Sequence, residues 1–305
     1  MQIRKPDYIN SLNLISLLLL PLSILTFAIN IIKKFYKKKN FKIRTICVGN
    51  IYIGGTGKTP LCIKINKILK NKYKTVFIKK YYKVHKDEHR LLKSNGSLIS
   101  MKSRDECLLK AEKRGFDFAI LDDGLQDKII NYNKTIACFN SSVGIGNGFL
   151  IPSGPLRESL KSIKNYDAIF INGQGNDFNL VEKIRGIKKN IKIFRGSYEP
   201  INLKQFNLKK NYLFFCGIGS PIEFEKTLKK YKFNIKNKMI FPDHYNYTSI
   251  DLKEIKKNAR QNNLDIITTE KDYLRINIAD RKKIKFLKID LKVHNQKKFQ
   301  NFLMK

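Results

Sequence analysis

The chain is 305 residues long and carries a formal net charge of +36, from 61 lysines and arginines against 25 aspartates and glutamates. That length holds two α/β domains, and 42% hydrophobic with 11% aromatic residues excludes an intrinsically disordered chain. The charge points toward anionic partners such as phospholipid headgroups, a phosphorylated substrate or nucleic acid, although lysine, asparagine and isoleucine over-used together along the whole chain would also follow from A/T-rich coding.

From Tyr8 to Ile32 there is no charged side chain, and "LISLLLLPLSILTFAINII" is mostly leucine and isoleucine. About 20 apolar residues cross a bilayer as a helix, so a membrane-anchoring helix is expected over residues 1–35, kinked at Pro21. The stretch is longer than a secretory h-region and no small-x-small cleavage site follows it. Lys33, Lys34, Lys37, Lys38 and Lys39 follow the stretch and only Arg4 and Lys5 precede it, which predicts that the rest of the chain is cytoplasmic. Sequence leaves spanning and shallow insertion both open.

Ile43 to Val48 reads as a strand. A glycine-rich turn, Gly54-Gly55-Thr56-Gly57-Lys58-Thr59, comes next, and then a helical pattern, "PLCIKINKILK", with Pro60 suited to the first turn. Strand, loop and helix in that order are the context of a phosphate-binding loop. Backbone N–H groups and the helix N-terminus attract phosphate, Lys58 would reach the β- and γ-phosphates of ATP, and Thr59 would ligate Mg²⁺. Tyr52 stands where the strict pattern has its first glycine, and a ligand-free tight turn is the plain alternative.

"HKDEH" (His85 to His89) matches a zinc-binding H-x-x-E-H pattern but lies in a lysine-rich stretch that reads as a solvated loop or helix end. "FDFAILDDGLQD" is an apolar strand ending in Asp122 and Asp123. Paired carboxylates at the end of a buried strand are costly unless they hold a cation or pair with a base, and beside a phosphate loop the simplest cation is the Mg²⁺ of a nucleotide. "DDG" alone could be a surface turn. Past Glu158, runs such as "DAIFIN", "YLFFCG" and "LDIITT" alternate with helical stretches, as in parallel sheets covered on both faces. "FCGIGS" reads as a strand-to-helix turn with structural glycines. The five cysteines, Cys47, Cys62, Cys107, Cys138 and Cys216, include no Cys-x-x-Cys pair, and they suggest small buried hydrophobes in a reducing compartment.

"GGTGKTP", "DECLLKA", "DDGLQ", "GNGFLIPSGPLRE", "GIGSPIEF", "FPDHY" and "TTEKD", in this order, resemble the tetraacyldisaccharide 4′-kinase family of lipid A biosynthesis. The resemblance covers most of the chain. It implies a P-loop kinase with an N-terminal membrane helix that uses ATP and Mg²⁺ to phosphorylate a membrane-embedded acylated disaccharide phosphate, on the cytoplasmic face of the inner membrane of a Gram-negative-type bacterium. It also implies roles. Asp105, matched to the aspartate of a "GDEP"-like motif, is the catalytic base, and His244 assists it. Asp122 and Asp123 attend the metal, while Arg157 and Glu158 lie near the reacting phosphates or substrate. A carboxylate is suited to accept the sugar hydroxyl proton, and Arg157 to grip phosphate oxygens. Taken alone, Asp105 reads as a helix N-cap and His244 as a loop histidine. Three departures stand out: "KKYYKV" (Lys79 to Val84) replaces a "SRGYGR"-like segment, Arg104 precedes Asp105 where glycine is usual, and Asp127 replaces a histidine.

The expected fold is therefore α/β, with a membrane-anchoring helix (1–35), a P-loop NTPase-like parallel-sheet domain (36–165) and a second α/β domain (166–305) closing over the active site, so that Lys58 and Asp105 come from one domain and His244 from the other. The expected partners are the lipid substrate and an anionic membrane surface, with no nucleic acid. A membrane-tethered P-loop ATPase or GTPase would leave "PSGPLRE" and "FPDHY" without a task. A non-enzymatic basic protein would leave the Asp pair without one.

Overall fold

The computed structural model describes residues 11–82, 86–173, 175 and 177–304. Arg4, Lys5, the first residues of the apolar stretch, Lys83 and Val84 of "KKYYKV" and His85 lie outside the described residues. The strands, in chain order, are β1 (Arg44–Gly49), β2 (Thr75–Ile78), β3 (Leu98–Ile99), β4 (Phe118–Asp122), β5 (Lys134–Asn140), β6 (Ala168–Asn172), β7 (Lys192–Pro200), β8 (Asn211–Cys216), β9 (Asn234–Ile240), β10 (Asp265–Thr269), β11 (Ile284–Leu287) and β12 (Ile289–Val293). The helices are α1 (Leu14–Leu18), α2 (Leu20–Ile32), α3 (Lys58–Leu69), α4 (Lys86–Lys93), α5 (Arg104–Lys113), α6 (Phe178–Ile187), α7 (Pro221–Lys230), α8 (Ser249–Gln261), α9 (Glu270–Arg275) and α10 (Gln296–Met304).

Two compact units result. Among the described residues, 11–81, 95–197 and 291–304 form the larger, and 82, 86–94 and 198–290 the smaller. The division falls later than the boundary expected at residue 165, and the smaller unit includes α4 from early in the chain.

The larger unit holds an eight-stranded sheet in the order β12-β7-β6-β5-β1-β4-β2-β3. β4 is buried at every position and β1 at all but its first, which is why these strands read as unbroken apolar runs: a central parallel strand is covered on both faces. Val48 of β1 pairs in register with Asp122 of β4. The end of the strand that enters the phosphate loop and the Asp pair are thereby neighbours. The smaller unit has a four-stranded parallel sheet in the order β11-β10-β8-β9. Along β8, Tyr212 and Phe214 pack with Phe224 and Leu228 on one face, while Leu213 and Phe215 pack with Leu252 and Ile255 on the other, following the two-residue period of a strand. All five cysteines are buried and free.

The structure divides the expected membrane-anchoring helix in two. Among the described residues no helix is long and apolar enough to cross a membrane. The apolar stretch breaks at Leu19 into five-residue α1 and thirteen-residue α2. Pro21 lies in the first turn of α2; lacking an N–H, it starts a helix there instead of continuing one. At 1.5 Å per residue α2 is about 20 Å long, against the ~30 Å of a bilayer core. Its polar face turns inward: the Ser23, Thr26 and Asn30 side chains donate to the carbonyls of Leu150 (2.8 Å), Ile151 (2.6 Å) and Arg157 (2.8 Å). Its apolar face is outside, with Leu22, Ile24, Leu25 and Ile32 all more than half exposed.

Candidate active site

In the larger unit β1 runs into the glycine loop, and Gly57 caps α3 with a φ of 86°, a left-handed conformation that glycine adopts without strain. The loop is bracketed from below by the "PSGPLRE" segment. Ile53 donates its N–H to the Pro155 carbonyl (2.8 Å) and Arg157 donates to that of Ile51 (2.7 Å). Tyr52, in place of the first glycine of the strict pattern, is buried and forms a bridge with Leu156, so it anchors the loop. The Thr56 hydroxyl is buried with no hydrogen-bond partner among the described residues. A buried polar atom left orphaned is expensive, and in a loop of this shape a phosphate oxygen would relieve it.

Beside the loop stand the twin aspartates. Asp122 is fully buried, and its Oδ2 accepts from the Thr59 hydroxyl (3.0 Å) and from the Lys79 ammonium (2.7 Å). Asp123 sits at φ 59°, a left-handed conformation uncommon for a residue with a side chain. Its carbonyl accepts from Arg104 and its carboxylate from Arg157 (3.0 and 3.2 Å), with Lys58 at 3.7 Å. Burial alone would push the Asp123 carboxyl up, but the charges of Lys58 and Arg157 outweigh it and hold it down at about 2. Glu158 is buried and held by Lys128 (3.0 Å to each oxygen), Gln126 (3.2 Å) and the Tyr166 hydroxyl (3.0 Å). Gln126 also donates to the Asn50 carbonyl at the exit of β1 (2.8 Å). Glu158 thus ties Lys128, Gln126 and Tyr166 together beside the exit of β1. Asp105 lies in the first turn of α5, after the N-cap Ser103. Its partner is Lys39 at 2.6 Å, and with Ser103 this holds its carboxyl at about 2.

In the smaller unit four motifs converge. Gly217, after β8, offers its N–H to Asp272 (3.0 Å), and its carbonyl accepts from Arg275 (2.5 Å) and from the His244 N–H (3.1 Å). A Cβ on Gly217 would lie 2.9 Å from the Pro242 carbonyl oxygen, so only glycine fits. Arg275 links two buried carboxylates, Asp272 (2.8 Å) and Asp87 (2.7 Å), and its guanidinium also lies 3.3 Å from His244 Nδ1. His244, at φ 59°, places Nδ1 3.4 Å from Asp87 Oδ1. The histidine ring is 19% exposed and the Asp87 side chain 1%. Burial alone would push Asp87 up; the hydrogen bond from His244 and the charges of Arg275 and Lys271 hold it well below the usual carboxylate range.

The family model for tetraacyldisaccharide-1-phosphate 4′-kinase matches residues 15–113 and 87–305. A Pelagibacter ubique protein named tetraacyldisaccharide 4′-kinase is 45% identical over 311 residues, covering 100% of this chain and 98% of the relative. The chain belongs to the tetraacyldisaccharide 4′-kinase family. A Rickettsia felis kinase of the same name is 33% identical, covering 95% of this chain and 93% of its own. Aquifex aeolicus LpxK, solved in complex with ATP, shares the fold with a TM-score of 0.73 at 23% identity, over 95% of this chain and 98% of that one.

Within this tetraacyldisaccharide 4′-kinase framework, the larger unit gathers Gly54 to Thr59, Asp122, Asp123 and Arg157. In the larger unit Asp105, on α5, pairs with Lys39; in the smaller unit His244 is engaged by Asp87, from the "HKDEH" stretch read as a solvated loop or helix end. Residues 86–89 of that stretch belong to the amphipathic helix α4, with Asp87 buried and Glu88 paired with Lys271 at 2.9 Å. The available signal was the dipeptide itself: Asp87-Glu88 matches the Asp-Glu of a "GDEP"-like motif as well as Asp105-Glu106 does. Lys79 and Arg275 were also missed, since a buried lysine or arginine looks like any other in so basic a chain.

Proposed function

We propose that the chain transfers the γ-phosphate of ATP to the 4′-hydroxyl of a tetraacylated glucosamine disaccharide 1-phosphate. The observation that carries this reading is the strand–loop–helix cradle, with an orphaned Thr56 hydroxyl, set directly beside the aspartate pair, in a chain whose family is named for that reaction. The hydroxyl oxygen attacks the γ-phosphorus, the bond to ADP breaks, and the hydroxyl proton passes to a protein base. Gly54, Gly55, Thr56 and Gly57 bind phosphate through backbone N–H groups, and Lys58 and Arg157 neutralise charge on the transferred group.

The donor set of Thr59, Asp122 and Asp123 is all oxygen, which suits a hard divalent cation. A Thr59 hydroxyl that gives its hydrogen to Asp122 keeps its lone pairs for a metal. Mg²⁺ held by these residues would supply charge neutralisation for the transferred phosphoryl group. Among the described residues no group of three or more His, Cys, Asp or Glu side chains is placed to hold a metal ion.

For the proton, the reading moves from Asp105 to the His244–Asp87 pair. Asp87 orients the ring through Nδ1 and the partly exposed imidazole receives the proton, the division of labour that a buried carboxylate and a histidine support. The outward apolar face of α1 and α2 is read as a shallow membrane seat on the cytoplasmic leaflet, followed by basic residues suited to anionic headgroups.

Incubation with γ-labelled ATP and the acylated disaccharide 1-phosphate tests the reading. Label on the lipid is expected. Label only in inorganic phosphate would instead favour a tethered ATPase.

A further inference from the structure

Lys79 follows β2 and is buried, with 4% of its surface exposed. Its ammonium sits 2.7 Å from Asp122 Oδ2, the same oxygen that accepts the Thr59 hydroxyl at 3.0 Å. The other carboxylate oxygen, Oδ1, lies 3.9 Å from Cys62 Sγ. A weak thiol donor on one side leaves the ammonium as the main charge compensation of a carboxylate with no solvent exposure. Without the lysine, a bound cation would have to supply that compensation.

We infer that Lys79 is a resident cation of the nucleotide site, holding Asp122 on Thr59 before any metal arrives, so that the loop is organised to take nucleotide phosphates without Mg²⁺. The inference deepens the proposed function and rests on its assignment of Gly54 to Thr59 to the nucleotide. The lysine lies where the family resemblance has the first residue of a "SRGYGR"-like segment, so the device belongs to this chain's own departure. Its side chain is 5% exposed, and its ammonium reaches the carboxylate. Methionine keeps the stem and removes the charge, and arginine keeps the charge.

The test is binding of a fluorescent ATP analogue to the full chain, in EDTA and across a Mg²⁺ titration, for the wild type, Lys79→Met and Lys79→Arg. The wild type is expected to bind in EDTA within roughly tenfold of its affinity in Mg²⁺. Lys79→Met is expected to lose roughly tenfold or more in EDTA and to recover in millimolar Mg²⁺, and Lys79→Arg to keep EDTA binding. Equal EDTA binding by wild type and Lys79→Met overturns the inference. So does a wild type that binds only with Mg²⁺, a result that holds even if Lys79→Met fails to fold. No binding by the wild type in either condition would instead defeat the nucleotide assignment itself.

Discussion

A carboxylate enclosed with an arginine and a histidine does different work from one that meets a surface lysine, and Asp87 and Asp105 illustrate the two cases. The Asp105 pair is partly solvated, with Lys39 56% exposed, and solvent screens such a pair so that it contributes little. Asp105→Asn is therefore expected to leave kcat within about threefold. Asp87→Asn removes the group that orients His244, and a loss of about 10²–10⁴ in kcat is expected, the usual worth of acid–base catalysis. Steady-state kinetics on the two variants decide between them, and a large loss in Asp105→Asn alone would restore the first assignment. The pH dependence follows from sign. The Asp87 carboxyl lies below its unfolded value, so its contribution to stability is complete above the ordinary carboxylate pKa of about 3.9 and disappears as pH falls below it. The acid limb of kcat/KM near neutrality should accordingly not belong to Asp87. Urea melts should show the wild type losing stability below about pH 4 more steeply than Asp87→Asn. Arg275 and Asp87 are 188 residues apart in sequence. No local pattern announces such a pair, whereas Lys58 and Thr59 are legible because strand, loop and helix are contiguous.

At the scale of elements, the segment 150–157 is what couples the apolar helix to the phosphate loop. Its carbonyls take hydrogen bonds from three α2 side chains, while Pro155 and Arg157 pair with the loop's own backbone. The hydrophobicity of residues 14–32 was legible in the sequence. The break was not, because a proline in an apolar run reads equally as a kink or a start. The inward polar stripe at 23, 26 and 30 follows helical spacing, but a stripe of small polar residues looks unremarkable until its carbonyl partners are known. Two substitutions separate the faces. Thr26→Val orphans the Ile151 carbonyl and should cost about 1–3 kcal/mol, measured by chemical denaturation. Leu22→Glu with Leu25→Glu changes only exposed positions and should alter stability within about 0.5 kcal/mol, yet reduce sedimentation with vesicles. Unchanged sedimentation would remove the membrane role from this face.

For the molecule as a whole, the charge of +36 has two possible origins, and they respond differently to salt. If the lysines merely reflect coding bias, binding to anionic vesicles rests on the apolar face of α1 and α2 and changes little with ionic strength. If the excess charge also draws the chain to the leaflet, each lysine near the surface adds about 1 kcal/mol at low salt. That part fades as the screening length shrinks from about 30 Å at 0.01 M to about 3 Å at 1 M. The scattering of lysine along the sequence does not show how many face one surface, so composition alone could not decide. We expect both components. Affinity for anionic vesicles should fall by roughly tenfold or more across that range, and the remainder should match binding to zwitterionic vesicles and disappear in the Leu22→Glu, Leu25→Glu variant. A flat salt response with full binding would assign the attachment to the apolar face alone, leaving most of the net charge without a role at the membrane.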